Sequence, residues 1–192
     1  MKVGVLALQG AFREHREVLD ALGADAVEVR TPESLSGIDA LFLPGGESTT
    51  ITKLLHTSAL IEPIRAVLDQ GLPVFGTCAG LIVLAEDARD QHGVTAPPLF
   101  GALGCMVLRN GYGTQRDSFE AALRIDGIEG TFPGVFIRAP LIESVQPGVE
   151  VLASHEGHPV LIRQGPVWAA TFHPELSGDL RVHERFLQEA SA

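Results

Sequence analysis

The stretch Val74-Phe75-Gly76-Thr77-Cys78-Ala79-Gly80-Leu81 decides how this chain of 192 residues is read. Val74-Phe75 opens a short apolar strand, and the composition from Ala79 onward predicts a helix over 79–88. Between them stands Gly76-x-Cys78-x-Gly80, the strand–turn–helix spacing of a nucleophile elbow, with Cys in place of Ser. Such a turn brings the residues two before and two after the nucleophile against each other, so both must be small, and both are Gly. The start of the helix favours a thiolate at Cys78 and directs the Ala79 N–H towards an oxyanion. Without that setting a free Cys is usually a core thiol, which is the reading of Cys105 in Gly104-Cys105-Met106.

The chain before the elbow alternates strand and helix signals. Residues 3–8 form a nearly all-apolar run, as in a strand buried on both faces. A helix over 12–22 follows, carrying Phe12, Val18, Leu19 and Leu22 at helical spacing and stopped by Gly23. Strands are expected over 26–29 and 40–43, and helices over 48–55 and 59–69. This order implies parallel strands joined by crossover helices. After the elbow the pattern changes. A loop is expected over 87–98, then strands over 105–108, 119–125, 135–137, 149–153, 160–162 and 167–172, and a closing helix over 181–190. The expected fold is α/β, three-layered, with a mostly parallel central sheet and an antiparallel extension, in one domain over 1–192.

The chain carries 14 Lys plus Arg against 24 Asp plus Glu, a net charge of −10. That sign argues against a nucleic-acid or anionic membrane partner, since both demand a basic face. Two cysteines make no disulfide framework and point to a reducing compartment. No apolar run reaches the ~18 residues of a membrane span, so a cytoplasmic location is expected. Neither a metal nor a cofactor is called for.

A thiolate nucleophile needs a base and a group to orient it. Among seven histidines, His15, His56, His92, His155, His158 and His183 lie in helices, at element ends or among polar residues, and are read as surface or capping residues. His173 follows the strand over 167–172 in Phe172-His173-Pro174-Glu175. Pro174 disfavours helical backbone at His173. In an extended segment residues two apart share a side, so Glu175 is expected beside the His173 ring. At the same sheet edge, Leu43-Pro44-Gly45-Gly46-Glu47-Ser48-Thr49-Thr50 ends a strand and starts a helix. Gly45-Gly46 offers backbone N–H groups for a second oxyanion donor, and Ser48 and Thr49 are natural helix caps.

Together the Cys elbow, Pro44-Gly45-Gly46-Glu47-Ser48 and His173-Pro174-Glu175 resemble the class I glutamine amidotransferases, whose fold is flavodoxin-like. The blocks Gly4-Val5-Leu6-Ala7-Leu8-Gln9-Gly10, Glu14-His15, Arg109-Asn110 and Gly134-Val135-Phe136-Ile137-Arg138-Ala139-Pro140 narrow this. They are similar to the glutaminase subunits of pyridoxal 5′-phosphate synthase, and the likeness runs from residue 4 to 176. The resemblance implies a triad of Cys78, His173 and Glu175, glutamine contacts at Gly46, Glu47, Ser48, Arg109, Ile137 and Arg138, and oxyanion donors at Gly46 and Ala79. It implies hydrolysis of L-glutamine to glutamate and ammonia, with ammonia passed to the barrel-shaped synthase subunit of a hetero-oligomer. The family pattern Arg-Asn-x-x-Gly-Arg-Gln reads here Arg109-Asn110-Gly111-Tyr112-Gly113-Thr114-Gln115, with Thr114 for an Arg and Arg116 close by. A glutaminase for another synthase, another Cys-elbow hydrolase and a non-catalytic flavodoxin-like module remain the alternatives at this point.

Overall fold

The computed structural model describes residues 1–90, 92–93, 100–112 and 118–192. The first half runs β1 (Lys2–Leu6), α1 (Phe12–Ala21), β2 (Asp25–Val29), β3 (Ala40–Leu43), α2 (Ser48–Thr57), α3 (Ile61–Asp69), β4 (Val74–Thr77) and α4 (Ala79–Leu84). The second half continues with β5 (Ala85–Arg89), β6 (Leu103–Leu108), β7 (Ser118–Leu123), β8 (Phe132–Ile137), β9 (Leu141–Val145), β10 (Glu150–His155), β11 (His158–Gln164), β12 (Val167–Ala170) and α5 (Arg181–Ala190). The seven-stranded central sheet has the order β10-β11-β12-β4-β3-β1-β2. Strands β12, β4, β3, β1 and β2 run parallel to one another, while β10 and β11 form the antiparallel extension.

Every residue of β3, β4 and β12 is buried, as a strand covered on both faces requires. Side chains alternate between two cores. Val3, Val5, Phe42, Phe75 and Trp168 pack with Leu19 of α1 and Val182 and Phe186 of α5. Leu41, Leu43 and Val74 pack with Ile51 and Leu55 of α2, Ile64 of α3 and the apolar residues of α4. Helices therefore cover both faces of the sheet, giving the three expected layers. Two small sheets, β5-β6-β9 and β7-β8, flank it. Among the described residues no helix is long and apolar enough to cross a membrane.

Three expectations are corrected. The helix after the elbow stops at Leu84, and Ala85–Arg89 is a strand paired with β6. Ala85 and Ala88 are buried and Glu86 and Arg89 exposed, with a register shift in the ladder between Ala85 and Asp87, and this edge pairing outweighs helix propensity. The loop expected from residue 87 accordingly begins later, and of its residues Gln91 and 94–98 lie outside the described set. Strand β9 is additional to the expected strands: only Ile142 is buried in Leu-Ile-Glu-Ser-Val, and its pairing with β6 supplies the order its sequence lacks.

Candidate active site

Three neighbouring parallel strands, β3, β4 and β12, deliver the glycine turn, Cys78 and the His173–Glu175 segment at their carboxyl ends, while Arg109 follows β6 and Ile137 and Arg138 lie at the end of β8. Cys78 follows β4 directly, with φ 50° and ψ −101°. A non-glycine residue in that region stores on the order of 1–3 kcal/mol, held by its surroundings. The surroundings are visible. The Cys78 N–H donates to the Ala170 carbonyl of β12 at 2.8 Å. A Cβ on Gly76 would lie 2.7 Å from the Gly80 backbone, and one on Gly80 would lie 1.9 Å from the Leu43 carbonyl oxygen. The steric demand read from the spacing is thus met by backbone on both sides.

His173 leaves β12 with its N–H donating to the Val135 carbonyl of β8 at 2.8 Å. Its Nδ1 lies 2.7 Å from Glu175 Oε1, and both side chains are buried. The carboxylate accepts, so Nδ1 carries the proton and Nε2 is left to face the thiol. The pairing is expected from an extended segment, but Pro174–Leu176 is a short 3-10 helix, so a tight turn brings Glu175 under the ring. Proline starts that turn readily because its missing N–H is not needed there.

Burial alone would lower the His173 pKa, but hydrogen bonding to Cys78 and Glu175, and their negative charge, raise it to about 10. Burial alone would raise the Glu175 carboxyl. His15 and His173 outweigh burial and hold it below the usual carboxylate range. By contrast, burial pushes the Cys105 thiol up to about 12, in keeping with an inert core cysteine.

The glycine turn packs against the same groups. The Gly45 N–H donates to Thr77 Oγ1 at 3.1 Å, and the Gly45 carbonyl accepts from the Ala11 N–H at 3.0 Å. A Cβ on Gly45 would meet His173 Cε1 at 2.4 Å, and one on Gly46 would meet Gln9 Oε1 at the same distance. Gln9 Oε1 also accepts from the Glu47 N–H at 2.9 Å. The cap of α2 differs from expectation. It is Glu47, whose carboxylate accepts from the Thr49 and Thr50 N–H groups at 3.1 and 2.8 Å. Desolvation works against the ionised form, yet these bonds bring its pKa down to about 2. Ser48 and Thr49 are therefore free of the capping role.

A cavity of about 280 Å³ joins these parts, lined by Gly46, Glu47, Ser48, Cys78, Ile82, Arg109, Asn110, Ile137, Arg138 and His173. Its size, just below the roughly 300–1,000 Å³ usual for ligand pockets, suits a small metabolite. All the residues singled out as substrate contacts line it. Arg109 approaches Thr49 Oγ1 at 3.4 Å, Arg138 takes a positive φ of 44°, and the Ile137 carbonyl lies 4.0 Å from Cys78 Sγ. Thr114 and Arg116, where the motif departs from the family pattern, lie outside the described residues.

Two histidines read as surface or capping groups are instead fully buried behind the site. His15 Nδ1 lies 3.0 Å from His183 Nε2, and His15 Nε2 lies 3.1 Å from Thr77 Oγ1. A signal is present in the sequence. His15 stands three residues after Phe12 and four before Leu19, on the apolar stripe of α1, and His183 stands three before Phe186 on that of α5.

Residues 5–192 match the SNO glutamine amidotransferase family. The chain belongs to this family. A pyridoxal 5′-phosphate synthase subunit PdxT from Parafrankia sp. is 53% identical over 188 residues, covering 97% of this chain and 92% of the relative. The PdxT subunit of Moorella thermoacetica is 50% identical over 191 residues, covering 98% of each. A crystal structure of a glutamine amidotransferase superposes with a TM-score of 0.92 at 48% identity over the full length of both chains. A putative GMP synthase component from Thermoplasma acidophilum has a TM-score of 0.72 at 17% identity, covering 100% of this chain and 94% of its own, and shares the fold. In this member of the glutamine amidotransferase family, the cysteine elbow, the Pro44-Gly45-Gly46 turn and the His173-Pro174-Glu175 segment meet at one cavity.

Proposed function

We propose that this chain is the glutamine-hydrolysing subunit of a pyridoxal 5′-phosphate synthase, acting as one glutaminase domain over 1–192 in the cytoplasm. The observation that carries the reading is the meeting of Cys78 and the His173–Glu175 pair at a small-molecule cavity, in a chain about half identical to PdxT subunits. In the reaction, the Cys78 thiolate attacks the side-chain carbonyl carbon of glutamine. A C–S bond forms and the carbonyl electrons move to oxygen. The Ala79 and Gly46 N–H groups hold that oxyanion, each such donor being worth roughly 3–4 kcal/mol. His173, kept in one tautomer by Glu175, gives its proton to the departing ammonia. A γ-glutamyl thioester remains. Water, deprotonated by His173, then releases glutamate and restores the thiolate.

Arg109 and Arg138 bring positive charge to a cavity that would hold the α-carboxylate of glutamine, while Glu47 and Ser48 border its other side. Free ammonia in neutral water is mostly ammonium and is not nucleophilic, which favours direct transfer to a barrel-shaped synthase subunit. The Gly45–Gly46 peptide is a route for control by that partner. Its carbonyl is tied to the Ala11 N–H, and a flip of this peptide would exchange that bond for a different N–H direction at the oxyanion.

Glutamate release, measured with and without the synthase subunit, tests the proposal. Wild type is expected to be slow alone and clearly faster with the subunit, and Cys78→Ala inactive in both. Near-normal turnover by Cys78→Ala would overturn the triad, whereas full wild-type activity without the subunit would overturn only the gating.

A further inference from the structure

We propose that His15 is a positioning residue for glutamine hydrolysis: it holds the Glu175 carboxylate and the Thr77 hydroxyl in register, tying the acid behind His173 to the glycine turn. The inference rests on the Cys78–His173–Glu175 reading and extends it by one shell.

The contacts form a chain. Glu175 Oε1 is taken by His173 Nδ1 at 2.7 Å. The other oxygen, Oε2, is buried without a hydrogen-bond partner among the described residues and faces His15 Nε2 at 3.4 Å, at the outer edge of hydrogen-bond range. The same Nε2 lies 3.1 Å from Thr77 Oγ1, and that hydroxyl accepts the Gly45 N–H at 3.1 Å. One imidazole edge therefore sits between the carboxylate that orients the base and the hydroxyl that anchors the glycine turn.

The tautomer follows from the neighbours. A carboxylate only accepts, so Nε2 of His15 must carry its proton; a lone pair there would face a buried negative charge. His15 Nδ1 then accepts, and His183 Nε2 donates to it across 3.0 Å. This leaves His183 Nδ1 as a bare acceptor, and it has no partner among the described residues. The reverse assignment would bury an unpaired N–H instead, and orphaned N–H groups are rarer in folded proteins than under-satisfied acceptors. Burial lowers the His15 pKa against the opposing pull of Glu175. Burial also lowers that of His183, to about 3. The titratable groups facing His15 are Glu175, His173, His183 and, on its own helix, Glu14. His15 does not line the cavity, so it would act through Glu175 and Thr77 alone.

The test uses His15→Leu, His15→Gln and Thr77→Val, with Cys78→Ala as control, assayed with the synthase subunit present. Gln keeps an N–H donor in reach of Glu175, and Leu does not. His15→Leu is expected to lower kcat by about tenfold or more with little change in the KM for glutamine, since misplacing reacting groups by up to 1 Å costs as much as ~10²-fold. Its alkaline activity limb should move to lower pH, because a loosened Glu175 supports the His173 imidazolium less. His15→Gln should recover most of the rate and the wild-type limb. Thr77→Val, which cuts only the link to the glycine turn, should lower kcat without moving the limb, and it serves as the second probe if His15→Leu does not fold. A folded His15→Leu with wild-type kcat and pH profile, or a His15→Gln as impaired as Leu with an unmoved limb, would overturn the proposal. So would wild-type kcat in Thr77→Val. Turnover by Cys78→Ala would instead remove the triad reading beneath it.

Discussion

At Gly80 a single methyl group would sit 1.9 Å from the Leu43 carbonyl oxygen, which is backbone and has nowhere to move. Gly80→Ala is therefore expected to lose about 3 kcal/mol or more, at the upper end of overpacking costs. Urea unfolding measures this, and a variant of wild-type stability would show that the elbow opens at little cost. The Gly-x-Cys-x-Gly spacing is legible in sequence because its constraint is local: five residues decide whether the turn closes. The role of His15 is not. A histidine on an apolar stripe looks the same whether it packs as filler or faces a carboxylate 160 residues away. Only the partner distinguishes them, and here the partner is Glu175.

Helix α2 shows why the end of an element is hard to place from residue type. Ser48 and Thr49 are good caps by type, but they lie inside the helix, and Glu47 occupies the position whose side chain reaches the N2 and N3 amides. Glu47→Ala should cost about 1 kcal/mol of stability. The carboxyl is held near pKa 2 instead of 4.5, so its contribution is full above about pH 4.5 and lost as the pH falls towards 2. The gap between Glu47→Ala and wild type in thermal unfolding should thus narrow below pH 4. A gap that persists at pH 2 would point to some other loss. Strand β5 carries a related lesson. Ala-Glu-Asp-Ala-Arg suits a helix by propensity, and only pairing with β6 across a non-local contact makes it a strand.

Across the whole molecule, buried histidines pull stability in opposite directions. The folded-state pKa of His173 lies above the ordinary 6.5, so its contribution is complete below about pH 6.5 and disappears as the pH rises through about 10. His183 is held neutral, with a folded-state pKa of about 3. The unfolded chain therefore takes up protons more readily below pH 6.5, and stability falls as the pH drops. Stability is expected to peak near pH 6.5. Replacing His183 with Phe should flatten the acid side alone, which unfolding curves at several pH values would reveal. An unchanged acid side would show that His183 does not titrate differently on unfolding.

The alternation of strands and helices, the elbow at Cys78, the glycine turn at Gly45-Gly46 and the His173-Pro174-Glu175 segment can all be read along the chain. Each depends on neighbours a few residues away, through sterics, periodicity or backbone restriction. What those segments meet is a matter of the folded packing. Packing sets β12 beside β4, bringing His173 to Cys78 across 95 residues, and sets α1 and α5 over the same sheet face, burying His15 against His183 and Glu175. Strand order and helix placement come from burying both faces of one sheet, a condition on the whole chain that no local window contains.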